Sequence, residues 1–119
     1  MNRTELRKQV LSLPMNSILY IDVPKEDGAK LCLERIKLSA LDCLLRSNFS
    51  EKEREENSSV KEITEEYTKT FSSYVAGIYY RLAEILGEDM IIPLSAPCYR
   101  LGYDGIQEKI FIYKTCPKA

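Results

Sequence analysis

A chain of 119 residues with 45% hydrophobic and 29% charged positions has the size and composition of one folding unit, which excludes disorder as its overall state. Seventeen basic residues against eighteen acidic ones leave a net charge of −1, so no global field draws the molecule to nucleic acid or to an anionic membrane. Its apolar runs fall far short of the roughly 20 residues that span a bilayer, and the opening MNRTELRKQVLSLP reads as an amphipathic helix rather than a leader. The expectation is one cytoplasmic domain over residues 1–119.

Asn2 and Glu5 have the spacing of a capping box, and Leu6, Val10 and Leu13 follow at helical intervals until Pro14, predicting a short first helix. Residues 17–23, SILYIDV, are rich in β-formers and bounded by Pro14 and Pro24. They predict a strand with Ile18 and Tyr20 on one face and Leu19, Ile21 and Val23 on the other. From Ala29 to Arg46, Leu33, Ile36, Lys37, Ala40, Leu41 and Leu44 recur at intervals of three and four, a second helix with a broad apolar face. Residues 47–59 are polar and charged and read as a solvated connector, in which Ser50 and Glu53 could cap a further turn.

Ser59 and Glu62 then make a second capping box ahead of Val60, Ile63, Tyr67, Phe71, Tyr74, Ile78, Leu82 and Ile85, a long helix closed by Gly87. At about 28 residues it measures about 42 Å, more than the diameter of a compact domain this small. Its second half adds Val75, Tyr79, Ala83 and Leu86 to a widening face, while its first half carries only the thin stripe Val60, Ile63, Tyr67 and Phe71. A stripe of that width is a helix-to-helix seam. It pairs either with a second copy, as a two-fold homodimer, or with the second helix of its own chain.

DMIIPLSAP, residues 89–97, predicts a short edge strand, because Pro93 and Pro97 cannot donate to a central ladder. Asp104-Gly105 between two β-favouring runs predicts a two-residue type I′ hairpin. Tyr103 then pairs with Ile106, Leu101 with Glu108, Arg100 with Lys109, Tyr99 with Ile110 and Cys98 with Phe111. Tyr99, Leu101, Tyr103, Ile106, Ile110 and Ile112 would face the core, and Arg100, Gln107, Lys109, Phe111 and Tyr113 the other way. The fold expected is α+β, a small antiparallel sheet of residues 17–23, 98–103 and 106–115 covered by two or three helices, one of them long.

The outward face of this hairpin sets Arg100 opposite Lys109 beside Phe111 and Tyr113, and like charges across a strand pair cost stability. Either the cations splay into water or bond to carboxylates such as Glu84 or Glu88, with the rings beneath the first helix, or the face awaits a partner. Arg3, Arg7 and Lys8 on the first helix would extend it. Base-stacking platforms have this composition, and so do protein-binding hot spots rich in Tyr, Phe and Arg. Glu51 to Glu66 is an acidic stretch diluted by Lys52, Arg54 and Lys61, a solvated surface or a dock for a basic partner.

Catalysis has few residues to use. There is no histidine, and no GxSxG, P-loop or Gly-rich dinucleotide loop occurs, which leaves a carboxylate such as Asp22 or Asp42 with a tyrosine. Cys32, Cys43, Cys98 and Cys116 contain no CxxC pair, so neither a metal site nor any cofactor is expected, and the thiols read as reduced and mostly buried.

LPMNSILYIDVP and YRLGYDGIQEKIFIYK, an early strand and a closing hairpin with Asp-Gly at its tip, resemble in layout small accessory proteins encoded by phages and prophages. The two stretches are about a quarter of the chain. The resemblance implies a compact protein that works by binding a host or phage macromolecule. The expectation is a non-enzymatic, homodimeric binding protein that occludes or bridges a macromolecular partner, protein sooner than nucleic acid. The alternative is a nucleic-acid-binding regulator or DNA-processing accessory factor using the hairpin's basic and aromatic face. A small-molecule pocket between sheet and helices is open to the chain, but no motif marks one.

Overall fold

The first helix, α1 (Arg3–Leu11), starts where Asn2 takes an extended conformation and its Oδ1 accepts the Glu5 amide at 2.9 Å. Val10 is its fully buried anchor, with Leu6 and Leu13 packed at the margin of the same core. Past Pro14 the chain turns through Asn16, whose φ of 65° lies in the left-handed region that asparagine tolerates, and enters β1 (Ile18–Asp22). This computed structural model describes residues 2–48 and 58–116. Residues 47–48 and 58–59 of the expected connector are helical; the rest of it, with its Ser50–Glu53 cap, lies outside the described residues, as does the Ser59 side chain of the second capping box.

Helix α2 (Lys25–Asn48) starts four residues earlier than the periodicity indicates. Pro24 precedes it and Glu26 and Asp27 fill its first turn, a favourable arrangement at the positive end of a helix. Gly28, which looks like a breaker in sequence, sits inside that turn, because a Cβ there would lie 2.8 Å from the Tyr103 hydroxyl. The buried face of α2 also differs from the expectation. Leu31, Leu38 and Leu45, seven apart, are buried, whereas Leu33, Ile36 and Leu44 are exposed, Leu33 at 69%.

That seven-residue repeat is the seam with α3 (Ser58–Leu86), which runs antiparallel to α2. Asp27 meets Arg81, Leu31 meets Gly77, Glu34 accepts from the Ser73 hydroxyl, and Lys37 pairs with Glu66. Val60 and Thr70 are buried as a result. The long helix therefore projects, in a molecule 50 Å along its longest axis, with α2 beside it. Gly87, at φ 110°, ends α3 as expected.

Residues 89–97 form no strand. Glu88–Met90 is a 3-10 turn that runs into α4 (Ile91–Leu94), so that Met90 and Leu94, one helical turn apart, are both buried. Pro93 falls in the first turn of α4, where its missing N–H has no carbonyl to serve.

The sheet closes the fold with strands β2 (Tyr99–Asp104) and β3 (Lys109–Lys114) in the order β1-β3-β2, antiparallel throughout. Tyr103 faces Ile110 rather than Ile106, so the hairpin loop is the four residues 105–108 and not the Asp-Gly pair. Asp104 Oδ1 accepts the amides of Ile106 at 2.8 Å and Gln107 at 3.2 Å, and Glu108 takes the left-handed conformation at φ 58°. The aspartate thus turns the chain with its side chain. A slip of four leaves each residue on its predicted face, since side chains alternate with a period of two. Tyr103, Ile110 and Ile112 join Ile21, Leu31, Ile78, Leu82 and Leu86 in the core. Ile106, expected there, is 96% exposed at the loop tip. Of the cysteines, Cys98 is buried, Cys32 and Cys116 half-buried and Cys43 exposed, fewer buried than expected.

Candidate functional site

The helices pack on one face of the sheet, and the other carries three cross-strand rows. Ile18, Tyr113 and Arg100 form the first, Tyr20, Phe111 and Gly102 the second, Asp22, Lys109 and Asp104 the third. None of the four large apolar side chains among them, Ile18, Tyr20, Phe111 and Tyr113, belongs to the hydrophobic core or packs against it. Ile18 is 47% exposed, Arg100 is exposed, and Tyr20, Phe111 and Tyr113 are half-buried. An antiparallel sheet with one face on a core and one toward solvent normally alternates apolar with polar residues. This outer face instead places an isoleucine and three aromatic rings side by side at its centre.

Local packing holds the rings in place. Phe111 lies across Gly102, where a Cβ would come within 2.5 Å of the ring, so glycine at 102 is what lets the ring lie down on the neighbouring strand. The Tyr113 hydroxyl donates to Asn16 Oδ1 at 3.1 Å, tying that ring to the turn before β1. Tyr20 completes the row from β1.

The charges fall differently from the sequence expectation. Arg100 faces Tyr113, not Lys109, so the like-charge pair does not exist. Lys109 stands between two acidic neighbours, Asp104 across β2 and Asp22 across β1, and its Nζ lies 3.4 Å from Asp22 Oδ1. That pair is solvent-exposed and adds little stability. Arg100 and Lys109 against Asp22 and Asp104 make the outer face electrically neutral.

Arg3 and Arg7 do not extend this face. They reach to the end of α3, where Arg3 donates to the carbonyls of Ile85 at 3.2 Å and Glu84 at 2.6 Å, and Arg7 to that of Leu86 at 2.7 Å. Arg7 also forks onto both Asp89 oxygens, and this hydrogen bond raises the guanidinium and holds the Asp89 carboxyl below its usual range. These cations cap helix carbonyls at the negative end of a dipole and fasten α1 to α3. Lys8 is exposed on α1.

Of the two arrangements open to the stripe at residues 60–71, the intrachain one is present. Val60 is fully buried, and Ile63 and Tyr67 half-buried, in a helix whose partner is α2. Phe71, at 48% exposure, stacks on Tyr67 with ring centroids 6.2 Å apart. As for the two carboxylates considered for catalysis, Asp22 is exposed beside Lys109, and Asp42 bonds Arg46 one turn along α2 at 2.9 Å. Among the described residues no group of His, Cys, Asp or Glu could hold a metal ion, and no helix is long and apolar enough to cross a membrane.

Sequence reasoning found Phe111, Tyr113, Arg100 and Lys109 but left out Tyr20 and Ile18. The signal was present, since the alternation of residues 17–23 already set those two on one face. The missing step was that β1 pairs with β3, which brings that face beside the aromatic one. Comparison of the chain with protein-family models, with curated proteins and with solved structures gives no match.

Proposed function

We propose that the chain is a non-enzymatic binding protein whose outer sheet face, centred on Tyr20, Phe111 and Tyr113 with Ile18 and Arg100 at its edge, docks on a protein surface and occludes or bridges it. The observation that carries this reading is the combination of three aromatic rings with balanced charge on a sheet face that the core leaves uncovered. Tyrosine, phenylalanine and arginine anchor protein interfaces, whereas a groove for nucleic acid tracks phosphates with an excess of cations. Lys109 is already flanked by two carboxylates, and Arg3 and Arg7 serve helix carbonyls, so Arg100 and Lys8 are what remain of the basic surface expected from the sequence.

This action is of the class that the resemblance to phage accessory proteins implies. The reading places the partner on the sheet and leaves residues 60–71 to the intrachain helical pair. A platform of nine residues is smaller than the roughly 800 Å² per partner of a standard interface. The association is therefore transient unless the partner also reaches the rims.

Mixing the protein with a single-stranded oligonucleotide at low salt, with light-scattering mass as the readout, separates the two macromolecular classes. No complex is expected. A complex whose affinity falls steeply as salt rises would overturn the reading in favour of nucleic-acid binding through Arg100 and the rings.

A further inference from the structure

On the opposite side of the sheet, where the hairpin loop meets the first turn of α2, a cavity of about 680 Å³ opens to solvent. Its volume is that of a small-molecule site, a class that spans roughly 300–1,000 Å³. Val23, Pro24, Ala29, Cys32 and Leu33 supply apolar wall, and Tyr103 lines it from β2. Tyr103 is only 3% exposed, and its backbone N–H donates to the Tyr74 hydroxyl at 2.7 Å. Its own hydroxyl lies beside Gly28, another lining residue, and no hydrogen bond to it is made among the described residues. The residue is buried but its oxygen is open to the cavity, so the phenol is a donor that an acceptor held there can meet.

The charges around the cavity define what fits. Glu26 and Glu108 stand on its lining and oppose an anion; burial and then the Glu108 charge push the Tyr103 phenol upward, which keeps its proton in place. Lys25, also on the lining, Arg35, whose guanidinium lies against Gly105, and the positive end of α2 oppose a cation. Pro24 at the start of α2 has no side-chain oxygen to cap that helix, so its first-turn amides favour an acceptor as well. We infer that this cavity binds an uncharged, largely apolar small molecule bearing a carbonyl-type oxygen, with the Tyr103 hydroxyl donating to that oxygen.

An isosteric pair of probes, 2-acetylnaphthalene and 2-naphthoate, tests the inference on the intact protein. Amide signals of Gly28 and Gly105 should shift saturably with the ketone, and the carboxylate should bind at least about tenfold more weakly, as expected for an anion that gives up its hydration at a lining whose charges balance. The ketone should also slow alkylation of Cys32, which lines the cavity, while leaving Cys43 at its original rate; the two thiols lie in different tryptic peptides. Tyr103→Phe should weaken the ketone about five- to tenfold, the usual worth of one hydrogen bond. Ala29→Trp, at an exposed helix position on the lining, should abolish binding with an unchanged circular dichroism spectrum. The inference is overturned by an absence of saturable shifts, by equal binding of ketone and carboxylate, or by ketone binding that leaves Cys32 unprotected.

Discussion

Single residues decide where the rings and helices of this molecule come to rest. Gly102 shows it most directly, because the Phe111 ring occupies the space its side chain would need. Phe111 can swing outward on a solvent-facing surface, so Gly102→Ala should change stability by less than about 1 kcal/mol while tilting the ring off the platform. The melting temperature should move by no more than a few degrees, and partner binding should weaken about tenfold. Equal binding by the variant would remove Phe111 from the contact surface. Gly28 and Gly77 work in the same way on the inner side, making room for the Tyr103 hydroxyl and for Leu31.

Among the elements, those written in local signals were legible in the sequence. The Asn2 cap, the periodicity of α3 and the Gly87 terminator each act within a few residues, and so the α+β class and most boundaries follow from them. The buried face of α2 was not legible, because that helix carries two apolar stripes and only the contour of α3 chooses between them: Gly77 admits Leu31, and Leu33 is left outside. Hairpin register was lost for a related reason, since Asp104 uses its side chain to hold a four-residue loop instead of entering a positive-φ turn. The conserved parity of the slip is why the aromatic face survived the error. The pairing of α2 with α3 carries its own prediction. Tyr67→Glu with Phe71→Glu should lower stability by about 2 kcal/mol and the melting temperature by about 5–10 °C, through lost packing on α2 and a lost ring stack. The light-scattering mass should equal that of the unaltered protein; a fall from dimer to monomer would assign residues 60–71 to an intermolecular seam.

For the molecule as a whole, titratable groups bound its stability on both sides of neutrality. Asp89, hydrogen-bonded by Arg7, and Glu66, hydrogen-bonded by Lys37, both titrate below their ordinary range. Their contribution is complete above the unfolded carboxylate values of about 4 and is lost as pH falls through the lowered folded ones. Burial raises Tyr74 and Tyr103, and the Tyr99 hydrogen bond raises Lys114. Their contribution is complete below the unfolded values of about 10 and is lost as pH rises through the raised folded ones. Burial raises the Cys98 thiol as well, so denaturant midpoints should be flat from about pH 5 to about pH 8 and decline on either side. Asp89→Asn should flatten the acid limb, and an unchanged acid limb would show that the Arg7 fork adds no stability in solution.

Whether the outer sheet face binds a protein is decided by affinity capture from the cells that make this chain. The bait should be compared with a variant carrying Tyr20→Ser, Phe111→Ser and Tyr113→Ser, after nuclease treatment and a wash at about 1 M salt, where the Debye length is only about 3 Å. A protein should be retained by the unaltered chain and lost with the variant, whose circular dichroism spectrum should be unchanged. Retention that ignores the three rings, or that vanishes with nuclease or salt, would contradict protein docking on this face.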